Sequence, residues 1–287
     1  MKWVVYTPLM VFGIFALLFA VEKIFPLRES RAGLLARLIV NGAISLLTFA
    51  LAMLIVRPSA ISAQHWAGQQ SFGIVHWLGL TGWAEFVVAF LFLDLTFYYW
   101  HILNHRIPWL WRFHNVHHID PDLDVSTGFR FHFGEVLLST LFRVVQVVLI
   151  GVPFVAFAAY ELVFQAGTLF HHSNLRLPIV FERWLSKLIV TPRMHGIHHS
   201  QVRNETNSNF GVVFPWWDGL HRTIGLNIPQ AQIEIGIPGY STADDNRLGR
   251  AFVLPFVKQR NYWQKPDGTT PQRNTDALKS SKFYLAE

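Results

Sequence analysis

The chain has 287 residues, of which 52% are apolar and only 15% charged, with a formal net charge of +6 at pH 7. So few charges, against roughly 25% in soluble domains, together with 25 Phe and 11 Trp, point to a membrane protein. The absence of cysteine excludes disulfides, thiolate zinc sites and Cys-ligated iron–sulfur or haem centres, so any metal must take nitrogen or oxygen ligands.

Four hydrophobic stretches follow one another along the chain. Residues 3–21 are almost wholly apolar and are flanked by Lys2 and by Glu22 and Lys23. A helix needs about 20 apolar residues to cross the hydrocarbon core, and this stretch fits. It is long for a cleaved signal peptide and no clear small-residue cleavage site follows it, so it reads as a retained helix. Residues 38–56 form the second stretch. Residues 84–100 form the third, interrupted only by Glu85, Asp94 and Thr96. Residues 136–170 are too long for one span, and Gly151-Val152-Pro153 breaks them into a helical hairpin. The alternative, a set of buried helices in a large soluble protein, fits these lengths less well.

The connecting segments orient the chain. Lys23, Arg28, Arg31 and Arg37 lie between the first two stretches, whereas residues 58–82 contain neither Lys nor Arg. The positive-inside rule places the first connection in the cytoplasm and the second outside. The third stretch then returns to the cytoplasm near His101, and the hairpin leaves and comes back. The basic residues are scattered, which suits anionic lipid headgroups and argues against nucleic-acid binding. The expected fold is all-α: an integral membrane bundle of about four transmembrane helices with a cytoplasmic histidine-rich helical cap. Residues 1–83 are expected to hold the N-terminal helices and their connecting loop, residues 84–237 a catalytic domain, and residues 238–287 a loosely held polar tail. Within that tail, residues 248–256 suit a short amphipathic helix.

Most of the 14 histidines cluster. His101 and His105 are spaced i, i+4, on one helical face where the third stretch leaves the bilayer. His114, His117 and His118 form a His-x-x-His-His pattern, and His195, His198 and His199 repeat it. His132, His171 and His172 add further imidazoles, while His65 and His76 fall in the opposite-side loop and read as interfacial. A single i, i+4 pair is often mere surface. Two copies of the triplet and a pair on one membrane face are different, because clustered unpartnered imidazoles cost stability through desolvation and repulsion. Eight to ten imidazoles exceed one tetrahedral ion's needs and suit two metals, with each triplet supplying half of the cage. Neither His101–His105 nor His195–His199 carries the His-Glu-x-x-His glutamate of a zinc protease.

At these residues the chain resembles the fatty acid hydroxylase/sterol desaturase superfamily of histidine-box membrane di-iron oxygenases. The resemblance spans roughly residues 84–225 and rests on DLTFYYWHILNH, FHNVHH, FRFHFGE, FHHSN, MHGIHH and NSNFGVVFPWWDGLHRT. It implies His101, His105, His114, His117, His118, His195, His198 and His199 as metal ligands. His132 matches a further family histidine, although Phe133 stands where the family usually has proline. His172 matches another, with His171 beside it as the alternative. The implied cofactor is two iron ions, with zinc as a possible substitute. The implied reaction uses O₂ and electrons from a separate donor, cytochrome b5-like or ferredoxin-like, to hydroxylate or desaturate a C–H bond of a fatty acyl, sterol or isoprenoid lipid. Asp94, Glu135 and Asp218 are the candidate carboxylates that orient the rings, with Glu161 a further one. Phe90, Phe92, Phe97, Phe164 and Phe170 are candidates for lining an acyl or sterol tunnel, with ordinary helix packing the plain alternative. The rival functional class is a zinc-dependent hydrolase or a structural metal protein of the membrane.

Overall fold

The computed structural model describes residues 2–273, and among these it is helical with no β-strand. Helix α1 covers Lys2–Ile24. Helix α2, Leu34–Leu51, runs through a π-helical turn at Ala52–Val56 into α3, Arg57–Gln69. Proline follows at position 58 and has no N–H to continue the i→i−4 ladder. Just before it, the Arg57 N–H reaches back five residues to the Ala52 carbonyl. The second hydrophobic stretch therefore continues as helix well into the segment expected as a loop. A single turn, α4 (Ile74–Trp77), precedes α5, Gly82–Arg106. At ~1.5 Å rise per residue, α5 is long enough to cross the bilayer and carry His101 and His105 to its far end.

Pro108 starts a new helix, α6 (Pro108–His118). Helices α7 (Phe133–Ile150) and α8 (Phe154–His172) form the hairpin. Gly151 ends α7 in the left-handed region, at φ 73°, and Pro153 caps α8. Short helices follow: α9 (Ile179–Leu185), α10 (Pro192–His198), α11 (Arg203–Thr206), α12 (Trp216–His221) and α13 (Leu248–Val253).

Among the described residues, five helical segments are long and apolar enough to cross a membrane, against an expected count of about four. Their outward positions carry bare apolar side chains such as Phe12, Leu46, Leu54, Trp83, Leu141 and Val155. So wide an apolar surface needs a lipid partner. The buried positions are the more polar ones: Asn41 and Thr48 on α2, Asp94 on α5, Arg143 and Gln146 on α7. Arg143 pairs with Glu161 of α8 at 3.0 Å and donates to Gln146. The chain is a multi-pass membrane protein with its polar groups turned inward.

The two ends of the bundle differ. At one end the hairpin tip packs on α3 and the segment that follows it, with Gln64 of α3 donating to the Val152 carbonyl at 2.8 Å and Gly73 against Gly151. At the other end the α1–α2 connection is tied to the histidine-bearing segments. Glu22 accepts backbone N–H groups of Val125 and Asn174. Arg37 donates to Asp120 at 2.7 and 3.0 Å and to Asp124 at 2.7 Å. Asn41 donates to Asp120 and Ser126. Residues from Pro238 to Trp263, expected as part of a loose tail, pack on α2 and α6 instead, with Tyr240, Ala251 and Leu254 buried. Beyond them Lys265 pairs with Glu234 and Arg273 with Glu205, and the last part of that expected tail, 274–287, lies outside the described residues.

Candidate metal centre

The histidine boxes meet at the end of α5. Nine imidazoles form two adjacent groups: His101, His105, His114, His118 and His198 in one, His117, His172, His195 and His199 in the other. All are buried except His105, which is half-buried. The two triplets do not each build half of the assembly, as expected, but split between both groups. The reason is helical. At about 100° of rotation per residue, position i+4 lies about 40° to one side of i and i+3 about 60° to the other. Thus His114 and His118 turn to the first group and His117 to the second. In mirror fashion His195 and His199 turn to the second and His198 to the first.

The nitrogen geometry suits bound ions. His172 Nε2 lies 3.0 Å from His117 Nε2 and 2.9 Å from His195 Nε2. His199 and His195 Nε2 are 3.2 Å apart, as are His118 and His114 Nε2. Two nitrogens each about 2.1 Å from one ion stand about 3.0–3.4 Å apart for angles between a right angle and the tetrahedral one. The opposite ring nitrogens decide which lone pairs point inward. His101 Nδ1 donates to the Phe210 carbonyl at 2.8 Å, His198 Nδ1 to Ser208 at 2.7 Å and His172 Nδ1 to Thr168 at 2.7 Å. A carbonyl can only accept, so each of these rings keeps its proton on Nδ1 and leaves Nε2 as a bare donor atom. The Nε2 atoms of His101, His105 and His198 are buried without a hydrogen-bond partner. Neutral nitrogen lone pairs converging in a buried space are the donor set of a transition metal such as iron or zinc.

Electrostatics keep the rings neutral. Burial, and after it the neighbouring imidazoles, lower His117, His118, His195 and His199 well below the ordinary histidine range. His198 is lowered for the same reasons, against a small upward pull from its bond to Ser208.

The three candidate carboxylates take different places. Glu135 accepts from His114 Nδ1 at 2.8 Å and fixes that ring's tautomer directly. Asp218 reaches the group through the backbone: it accepts the N–H groups of Phe210 and Gly211 at 2.9 and 2.8 Å. It thereby holds the Phe210 carbonyl that orients His101. Asp94 touches no histidine; it accepts from Trp217 Nε1 at 2.8 Å and from the Phe214 N–H at 3.2 Å, fastening the 214–217 segment to α5. Glu161 pairs with Arg143, away from the rings.

His132, expected as a ligand, stands outside both groups. Its Nδ1 accepts the Gly134 N–H at 2.9 Å and its Nε2 donates to the Phe252 carbonyl at 3.0 Å, so it caps α7 and neither nitrogen is free for an ion. His172, rather than His171, presents Nε2 to the second group; the His171 ring packs on His195 at 4.1 Å. Phe97 and Phe164 pack on one another, centroids 4.4 Å apart, and Phe90 packs on Tyr160, all as part of the helix core. Sequence reasoning did not pick out the carbonyls of Thr168, Ser208 and Phe210, since a backbone acceptor carries no residue signature. Phe131, stacked on His117 at 4.5 Å, and Phe210, against His101, His105 and His198, were likewise not picked out.

Comparison with known proteins bears on this site. The profile of the fatty acid hydroxylase family matches residues 86–223, which include all nine clustered histidines. The ornithine lipid hydroxylase OlsE of Rhizobium tropici is 31% identical over 155 residues, 54% of this chain and 46% of that protein. Cholesterol 25-hydroxylase of Mus musculus is 26% identical over 141 residues, 48% of this chain and 46% of that protein. Alkylglycerol monooxygenase of Homo sapiens is 25% identical over 146 residues, 47% of this chain and 29% of that protein. The chain thus spans about half the length, or less, of the curated relatives it matches. No solved structure gives a significant match.

Proposed function

Residues 86–223 place this chain in the fatty acid hydroxylase family, and on that premise we propose that it is a membrane oxygenase that uses O₂ and external electrons to hydroxylate a lipid C–H bond. The observation that carries the reading is the pair of adjacent imidazole groups at the bilayer end of α5 and α8. The proposed cofactor is two iron ions, one in each group, for which zinc is a substitute because it binds the same ligands more tightly than ferrous iron. Iron bound there supplies reductive activation of O₂ and removal of hydrogen from an unactivated C–H bond.

The chain's own part is to hold the rings neutral, oriented and dry. Glu135 and the carbonyls of Thr168, Ser208 and Phe210 keep Nδ1 protonated, so that Nε2 faces the ions. Burial of the assembly excludes water that would quench an oxidising centre. Helices α5 and α8 deliver His101, His105 and His172 from within the bilayer, which suits a substrate dissolved in lipid: a fatty acyl, sterol or isoprenoid chain. The relatives are named as hydroxylases and a monooxygenase of ornithine lipid, cholesterol and alkylglycerol. Those names favour hydroxylation over desaturation. The histidine end is assigned to the cytoplasm, and the electrons to a separate donor.

The test is metal analysis followed by turnover. Iron-reconstituted protein in lipid nanodiscs should hold close to two metals per chain. With dithionite as reductant, ¹⁸O₂ and a lipid panel, mass spectrometry should find one lipid gaining one ¹⁸O. Loss of two hydrogens without oxygen gain would make it a desaturase. No labelled or desaturated product from protein holding two irons would remove the oxygenase reading and favour the hydrolytic or structural metal protein.

A further inference from the structure

A cleft of ≈ 690 Å³ opens beside the turn between α5 and α6. Its floor includes His105, the one clustered histidine that is not fully buried. Its rim carries Arg106 and Arg203, both exposed, with Asn204 and Asn207, and no carboxylate. Between rim and floor stand two tryptophans. The half-buried Trp263 ring lies parallel to that of the buried Trp111, centroids 6.0 Å apart and planes 21° from one another. Trp111 in turn packs on His105 at 4.8 Å and on His118 at 5.3 Å. Arg203 sits over the outer ring, 5.9 Å from the Trp263 centroid.

We infer that this cleft is the docking face for an acidic one-electron carrier protein, with Trp263 and Trp111 bridging it to the histidines of the first group. The inference rests on the oxygenase reading, which requires a source of electrons. Two cationic side chains with no acid in the cleft favour an acidic partner and speed its approach. The paired indoles replace solvent with contiguous π-systems from the surface to two candidate ligand rings. In the step itself the carrier loses one electron and an ion of the centre gains it. No bond or proton is exchanged, and the indoles return unchanged.

The test uses the full chain in nanodiscs and, as probe, the soluble acidic haem domain of a cytochrome b5. Its affinity is measured on metal-free protein by calorimetry. The double charge reversal Arg106→Glu with Arg203→Glu should weaken it by roughly tenfold or more, and the wild-type affinity should fall with added salt. Anaerobic stopped-flow of the reduced haem against iron-loaded protein gives the second readout. Trp263→Leu should bind the haem domain as wild type does yet lose the fast phase of haem reoxidation. Reduction by dithionite should be unchanged in every variant. The inference is overturned if the charge-reversed protein binds the haem domain normally, or if Trp263→Leu keeps the fast phase. It is also overturned if charge reversal abolishes only adhesion to vesicles containing phosphatidylglycerol, which would make the rim a lipid contact. Should docking and haem reoxidation behave as expected while the dithionite-driven lipid assay yields no product, the oxygenase reading fails and the electron-entry face stands.

Discussion

At the residue scale the decisive chemistry is which nitrogen of each ring carries the proton. Glu135 is the single side-chain carboxylate bonded to a clustered histidine among the described residues. Glu135→Gln keeps the shape but removes the charged acceptor that holds His114 Nδ1–H. Metal affinity or turnover should fall by ~10–100-fold, read by competitive metal titration; wild-type affinity and turnover together would show that the pair is merely structural. The same neutrality makes the metal-free protein sensitive to acid. His117, His118, His195, His198 and His199 are all lowered in the folded state by burial and by one another. The unfolded chain takes up protons near the ordinary value of about 6.5, whereas the folded chain does not. Stability contributed by keeping these rings neutral is thus present above pH of about 6.5 and declines as pH falls below it. Chemical denaturation of metal-free protein should show a midpoint that holds from pH 8 to about 7 and then falls towards pH 5. A flat profile would mean that the rings are already open to protons.

At the scale of elements, the i+3 and i+4 positions of the triplets lead to opposite groups. His117→Ala and His198→Ala therefore remove ligands from different ions. Each should abolish turnover and lower bound iron from about two towards about one per chain, counted by plasma emission against protein concentration. Equal loss of both ions from either variant would indicate that the groups fill only together. The hairpin tip makes a second demand. Gly73, at φ 110°, approaches Gly151 so closely that a Cβ on it would lie 2.4 Å from the Gly151 nitrogen. Gly73→Ala combines a strained backbone with a backbone clash and should cost roughly 1–3 kcal/mol or more. A thermal shift assay that found no destabilisation would mean the α3–α5 connection is free to move off the tip.

For the whole molecule, the Arg37–Asp120 pair couples the N-terminal helices to the histidine end. Burial alone would raise the Asp120 carboxyl, but Arg37, aided by Arg130, holds it down at about 2. Its stabilising contribution is complete above the unfolded value of about 3.9 and is lost as pH falls towards 2. Arg37→Met leaves that carboxylate buried beside Arg130 alone and should cost about 3–5 kcal/mol at neutral pH. The loss should shrink as acid protonates Asp120. Orientation is argued at this scale too. Of the four basic residues used to place the first connection, Arg28 bonds to Gln230 and Arg37 to Asp120, turned into the protein. Arg106, Arg112, Arg183, Lys187 and Arg203 nonetheless all belong to the histidine end, and residues 58–82 and 151–153 at the other end hold no Lys or Arg. A reporter fused after Glu287 is expected in the cytoplasm; activity of a periplasmic or lumenal reporter there would reverse the orientation.

The helical membrane class, the broken hairpin and the histidine-rich site were legible in the chain itself. Apolar run length, Gly-Val-Pro and i, i+3, i+4 spacing are local properties that one segment carries alone. The continuation of α2 through a π-turn into α3 was less legible, because polar residues after Pro58 read as loop until α7 packs on them. Which histidines share a group was decided only in three dimensions, since each group draws on α5, α6 and α10, or on α6, α8 and α10, and the angle between helices sets which faces meet. His132 and Asp94 illustrate the limit. Each has the residue type and position of a site member, yet His132 spends both nitrogens on backbone groups and Asp94 its oxygens on Tyr160 and the 214–217 segment. Competition for a lone pair is settled by whichever partner tertiary packing brings within about 3 Å, and that information is not written in any one stretch of sequence.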